Sequence, residues 1–416
     1  MVLETSKIAS EVNGGPSLVN GDQFGSSITL LGDVDGDGIS IDVAIGAYSN
    51  NIGSADSGTL YILSLLHDGS VHSVVEIGSS SNGGPVLTSG DWFGYSLACI
   101  GDVDGDGLSF DIAVGTPRSD VGGANRGAVY ILSLSLDRTA QRTVLIGDDT
   151  NGGPILDDDD NFGISLTCIG DVDGDGTSSD LAIGAHKDDD PNESNTGAVY
   201  ILSLSADGST HRVVKIGSNV GGGPSLMTND LFAISIAWIG DVDGDGISSD
   251  LVVGSHGYDG ATGNNQGAIY VLSLTTSGTA HSDTVISSGM NGGPRLNDED
   301  GFGKSVSWIG DVDGDGISSD VAVGTQGDDG VGGSDRGAVY LLFFSNTGVA
   351  HSFIKLASSV NGAPTLLNGD QFGSACAWLG DVDGDGMAGD ILVGASRDDT
   401  GGSDRGAIYI LSRADL

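Results

Sequence analysis

Cations are what this chain has least of. Its 416 residues include 15 Lys plus Arg against 58 Asp plus Glu, a formal charge of −43. A surface of that sign repels phosphate backbones and anionic headgroups, which argues against nucleic-acid and membrane-surface binding. Cysteine is also scarce: Cys99, Cys168 and Cys376 all fall in apolar runs, and three thiols cannot pair completely. They read as buried free thiols and say nothing about compartment. No apolar run approaches the roughly 18 residues of a membrane helix. The N-terminal MVLETSKIASEVNGG has neither the charged nor the apolar region of a signal peptide. The expectation is therefore either a cytoplasmic protein or a domain of a larger secreted chain. Aromatics are few, at 6%, but 38% hydrophobic residues in short regular runs suffice to bury a core.

What is abundant is glycine, 72 residues, and repetition. DVDGDG occurs six times, starting at Asp33, Asp102, Asp171, Asp241, Asp311 and Asp381, at spacings of 69 or 70. Six of the eight prolines keep the same beat in an NGGP-like turn: Pro16, Pro85, Pro154, Pro224, Pro294 and Pro364. An Asp two residues before a Phe precedes each loop: Asp22, Asp91, Asp160, Asp230, Asp300 and Asp370. These aspartates read as turn caps.

Each repeat holds four short runs suited to strands, such as GYSLACIG, DIAVGTP, GAVYILSL and TVLIG, with turn residues between them and no helical period. Four strands per repeat are the mark of a propeller blade. The reading is all-β: a six-bladed β-propeller with four antiparallel strands per blade, one domain over 1–416. The blades fall at about 24–80, 93–149, 162–219, 232–289, 302–359, and 372–412 plus 5–11. The last copy stops after its third strand, while the N-terminal TSKIAS matches the fourth-strand segments VVEIGS and FIKLAS. The N-terminal strand thus pairs into the last blade and closes the ring without an open edge.

In DVDGDGISID the carboxylates at positions 1, 3 and 5 can be turned toward one point, and a hard dication wants such oxygens. Gly36 and Gly38 permit the bend, and the position-seven carbonyl adds a ligand. The candidate metal set is Asp33, Asp35, Asp37, Ile39 and Asp42; Asp102, Asp104, Asp106, Leu108 and Asp111; Asp171, Asp173, Asp175, Thr177 and Asp180. It continues with Asp241, Asp243, Asp245, Ile247 and Asp250; Asp311, Asp313, Asp315, Ile317 and Asp320; Asp381, Asp383, Asp385, Met387 and Asp390. Six such clusters would be costly turns without a cation. An irregular all-oxygen cage suits Ca2+, about six ions at one per blade, whereas zinc would want His or Cys within the loop. Position 12 is Ala44, Ala113, Ala182, Val252, Ala322 or Leu392 instead of the Glu of an EF-hand.

Phe24-Gly25, DVDGDG from Asp33 and Ile45-Gly46-Ala47, recurring as Phe162-Gly163, Asp171 onward and Ile183-Gly184-Ala185, resemble the FG-GAP repeat of integrin α-subunit propellers. The resemblance runs over essentially the whole chain. It implies a closing Asp at position 9, but that position holds Ile41, Phe110, Ser179, Ser249, Ser319 and Gly389, with the Asp one place later in all six copies. It also implies seven blades with calcium loops in only some of them, whereas the repeat count here gives six of each.

Loops joining strands 1 to 2 and 3 to 4 share one face, which carries the Asp loops. The opposite face receives the more varied segments, such as AYSNNIGSADSG and AHKDDDPNESNTG. Integrin propellers, by resemblance, bind partners on this side, and variable loops on a rigid ring suit recognition. His186 and His256 near this mouth read as surface decoration. His72, His211, His281 and His351 on the fourth strands read as structural surface, and Trp238, Trp308 and Trp378 as inter-blade packing. Arg126, Arg336 and Arg405 read as partners of nearby acids, and Asp157–Asp160 and Asp188–Asp190 as solvated loop tips. No nucleophile elbow, phosphate-cradling Gly loop or HExxH pattern is present. The expectation is a non-enzymatic, calcium-binding adhesion or ligand-recognition module with no catalytic residues. It would be extracellular or at the cell surface, with an unidentified protein or glycan ligand and no membrane insertion. The alternatives are a structural scaffold of a larger secreted protein, or a polysaccharide-active enzyme using the channel mouth.

Overall fold

A computed structural model describes residues 3–39, 41–260, 263–330, 333–382 and 389–413. It contains 24 strands among these residues, numbered β1 to β24 in chain order. The first blade is β2 (Ser27–Gly32), β3 (Asp42–Ala47), β4 (Thr59–Leu65) and β5 (Val71–Gly78). Four further blades repeat this pattern over Ser96–Gly147, Ser165–Gly217, Phe232–Ser287 and Phe302–Ala357. The sixth combines β22 (Phe372–Gly380), β23 (Asp390–Ala395) and β24 (Ala407–Arg413) with β1 (Leu3–Ala9). β1 runs antiparallel to β24, from Leu3 opposite Arg413 to Ala9 opposite Ala407, so the N-terminal strand closes a ring of six four-stranded sheets.

Burial explains the residue choice in each strand. β3 (DVAIGA) and β4 (TLYILSL) are buried at every position because both of their faces meet neighbouring blades, so they read as unbroken apolar runs. The outer β5 (VHSVVEIG) alternates toward solvent over its first half. The cores lie between blades: one cluster joins Phe24, Ile45 and Tyr61 of the first blade to Leu392, Ile408 and Ile410 of the last, with Ile8 of β1.

Three devices repeat around the ring, an aromatic pair within each blade and two hydrogen bonds that bolt each blade to the next. Phe24, Phe93, Phe162, Phe232, Phe302 and Phe372 are fully buried. Each meets a tyrosine edge-on at 5.4–6.0 Å, for example Phe24 with Tyr61. A buried aromatic of this kind contributes about 1.5–3 kcal/mol through burial. The Phe93 N–H donates to the Ser57 carbonyl of the preceding blade at 2.9 Å. That approach requires Gly58, with φ +86°, since a Cβ there would sit 2.1 Å from the Phe93 oxygen. Finally, the hydroxyls of Ser27, Ser96, Ser165, Ser235 and Ser305 donate across the blade boundary to Gly94, Gly163, Ala233, Gly303 and Gly373 at 2.7–2.9 Å. In the sixth blade Ser374 reaches Gly25 at 3.3 Å.

Candidate metal loops and the opposite face

Each Asp loop follows a β-bulge. Leu30 pairs with Val43 and Gly32 with Asp42, leaving Leu31 as the extra residue, and the other five blades repeat the slip. The chain then bends through Gly36 and Gly38, at φ +77° and +89°, with open space where a Cβ would point. These glycines serve backbone conformation, not close packing.

Within the loop, Asp33 accepts the N–H groups of Gly36 and Gly38 at 2.8 and 3.0 Å. Asp35 accepts that of Asp37 at 3.1 Å, and Asp37 that of Ile39 at 2.8 Å. Leu108, Thr177, Ile247 and Ile317 likewise donate to Asp106, Asp175, Asp245 and Asp315. Asp33, Asp35 and Asp37, and likewise Asp102, Asp104 and Asp106, each bring a carboxylate oxygen within 4.8 Å of the other two. These donor sets are all oxygen and fit a hard divalent cation. Asp383, Asp385 and Met387 lie outside the described residues.

The closing aspartates are held by backbone amides. Asp42 is 1% exposed, and its two oxygens accept Val34 N–H at 3.0 Å and Leu65 N–H at 2.9 Å. Asp111, Asp180, Asp250 and Asp320 make the same pair of bonds, to Val103 and Leu134, Val172 and Leu204, Val242 and Leu274, and Val312 and Phe344. Asp390 accepts Val382 N–H at 2.8 Å. The first five carboxylates thus tie the start of their loop to the end of the blade's third strand. Burial pushes Asp42, Asp111, Asp180, Asp250 and Asp320 up to about 6, against the pull of the amide bonds.

The structure also brings residues to the loops that sequence reading assigned to plain surface. His211 Nε2 lies 3.2 Å from Asp173 and 3.7 Å from Asp175. His281 Nε2 lies 3.0 Å from Asp243, and His351 Nε2 lies 3.1 Å from Asp313 and 3.6 Å from Asp315. Each imidazole clusters with two loop carboxylates within 4.8 Å. The available signal was positional: the fourth strand begins on the face that carries the Asp loops.

On the opposite face, the Asp before each Phe acts as the expected cap. Asp22, Asp91, Asp160, Asp230, Asp300 and Asp370 accept the N–H three residues back at 2.7–2.8 Å. Two expectations need correction here. Asp160 and Asp188 are 5% and 4% exposed, not solvated tips. Asp188 instead accepts Tyr200 Oη and Lys215 Nζ, both at 2.6 Å. Asp328 does the same for Tyr340 and Lys355, and Asp398 for Tyr409 and Lys7. His186 is buried as well, at 8% exposure, and neither its Nδ1 nor that of His256 has a hydrogen-bond partner. Burial holds both imidazoles below their ordinary range, His256 at about 3. Arg126 pairs with Asp148 and Asp158 at 2.8 Å, while Arg336 and Arg405 donate through Nε to Asn368 and Asn20. Trp238, Trp308 and Trp378 pack in series across blades, 5.6 and 5.1 Å between centroids.

Fold and loops together define an acidic β-propeller with an Asp-rich loop at the same corner of each repeat. The FG-GAP repeat model matches residues 93–132. The chain is similar to Integrin alpha-PS2 of Drosophila melanogaster, at 35% identity over 183 residues, covering 41% of this chain and 12% of that protein. It is also similar to Integrin alpha-2 of Mus musculus, at 28% identity over 239 residues, covering 57% of this chain and 18% of that protein. The matched regions thus span less than a fifth of each relative. The protein is a six-bladed β-propeller, one stretch of which matches the FG-GAP repeat and part of which is similar to integrin alpha chains.

Proposed function

We propose that this propeller is a calcium-stabilised, non-enzymatic recognition module of the adhesion class, displayed outside the cell as part of a larger protein. The observation that supports it most is the division of labour between the faces. The carboxylate loops are near-identical in sequence and, where described, internally hydrogen-bonded, as suits a structural role, while the 2-to-3 loops on the other face differ from blade to blade. Position-one, -three and -five aspartates would hold the cation, with the position-seven carbonyls completing the shell and His211, His281 and His351 beside three of the sites. The bound ion would supply positive charge at the centre of each carboxylate cluster. The closing aspartates fasten the loop ends to the blade.

Binding only to the folded ring stabilises it by about 2.7 kcal/mol per site at a hundredfold excess over Kd. Chelation should therefore lower the unfolding midpoint strongly. An unchanged midpoint would remove the structural role. A protein and glycan binding screen, with and without calcium, tests the rest. Calcium-dependent binding supports recognition, silence supports a scaffold, and turnover of a polysaccharide would make the protein an enzyme.

A further inference from the structure

The channel through the ring opens, on the face away from the Asp loops, into a cavity of about 220 Å3. Gln23, Tyr48, Tyr95, Lys304, Gln371 and Arg397 are among its lining residues, and no carboxylate is. That is unusual ground in a chain with 58 acidic and 15 basic residues. Elsewhere Lys7, Lys215, Lys355 and Arg126 are spent on aspartates. Among the described residues, Lys304 and Arg397 form no ion pair.

The wall around these cations is held in place. Lys304 Nζ donates to the Tyr95 hydroxyl at 3.2 Å. Tyr95 stacks on Trp92 at 5.6 Å and 11°, and the Arg118 guanidinium covers Trp92 at 3.5 Å. Tyr48 leans on both rings at 5.0 and 4.9 Å, with its hydroxyl bonded to Gln23. Burial and then Tyr95 raise the Tyr48 phenol, while Arg397 and Arg118 pull the other way, so both guanidiniums are within electrostatic reach of that hydroxyl.

We propose that this mouth binds a short acidic saccharide. A uronate-type carboxylate lies against Arg397 and Lys304, the sugar ring meets Tyr48, and its hydroxyls bond to Gln23, Gln326 and Gln371. The cations favour an anion, since a guanidinium can match a carboxylate's two oxygens. The carboxamides and phenols select hydroxyls, because each can both donate and accept. An extended peptide would find the cations, but here side chains from several blades converge where it would need a strand edge. Size and field limit the ligand to a short one. The volume is below the roughly 300–1,000 Å3 of ordinary ligand pockets. The protein's net charge repels a long polyanion, while at physiological salt the screening length of about 8 Å leaves a single sugar governed by the groups nearest it.

This proposal rests on the recognition reading, and its test separates the two. The calcium-loaded chain is titrated calorimetrically with a glucuronate-containing disaccharide, its neutral hexose counterpart and an Asp-containing tripeptide. R397Q and K304Q are titrated in parallel, with melting curves to establish that they fold. The uronate should bind at least about tenfold tighter than either alternative, and each variant should remove about that factor. Equal binding of the neutral sugar, preference for the tripeptide, or indifference to both variants would overturn it. The same proteins are then screened on a glycan and peptide array. Hits that persist in R397Q would leave recognition standing and refute the mouth, whereas silence throughout would refute both.

Discussion

Lys7→Met should loosen the ring at the non-covalent seam where β1 joins the last blade. β1 is the fourth strand of the sixth blade, and Lys7 fastens it: Nζ donates to Asp398 at 2.8 and 2.6 Å and to Thr400 at 2.5 Å. Tyr409 donates to the same carboxylate at 2.7 Å, and Asp398 is 3% exposed. Methionine preserves the apolar stem but strands the carboxylate. Removing one partner of a fully buried pair costs about 3–5 kcal/mol. The Lys7 side chain retains 27% exposure, so solvent screens part of this and the expected loss is about 2–4 kcal/mol. Burial works to raise Asp398, but hydrogen bonds from Lys7, Thr400 and Tyr409 outweigh it and hold the carboxyl below its usual range. This contribution is therefore present above the unfolded value of about 3.9 and lost as pH falls through the lower folded value. Urea unfolding at pH 7 and near pH 3 reads the difference, and hydrogen exchange over residues 3–9 reads the seam. Lys215→Met is the internal control, since Asp188 and Tyr200 form the same arrangement in a covalently continuous blade. It should cost stability without speeding exchange in β1. A K7M loss below about 0.5 kcal/mol, equal losses at both pH values, or β1 exchange matched by K215M would refute the reasoning.

Asp180→Ala should leave the buried amides of Val172 and Leu204 without acceptors, at about 1–3 kcal/mol each, equally in calcium and in chelator. Asp175→Ala should matter chiefly when calcium is present. A D180A penalty confined to calcium would make Asp180 a ligand rather than a brace. Asp160, Asp300 and Asp370 are raised by burial to about 7, 6 and 6. A raised carboxyl adds stability that is complete below the unfolded value of about 3.9 and lost as pH rises through the folded one. Asp160→Asn should therefore flatten the metal-free stability profile between about pH 4 and 7, and an unaltered slope in urea titrations would count against it.

The repeat was legible because its markers are local. DVDGDG, NGGP and the Asp before Phe recur at one period, and each specifies a turn that any isolated blade must make. Strand count and ring closure followed from a missing fourth strand at one end and a spare one at the other. The companions of the Asp loops were less visible. His211, His281 and His351 lie 38 residues from the aspartates they face, beyond the reach of motif spacing. Asp42 looked like one more acid in an acidic loop until Val34 and Leu65 were seen to use both of its oxygens.

Sequence by itself determined the six-bladed architecture, the chemistry of the loops and the face on which they stand, because periodicity and residue type are properties of the chain. Tertiary structure alone decided which charges are spent and which remain free. Asp188, Asp328 and Asp398 are buried under lysines that arrive from the fourth strand, while Lys304 and Arg397, from separate blades, line a mouth without acids. Pairing is fixed by burial and by distance in space, and neither is written in the order of residues.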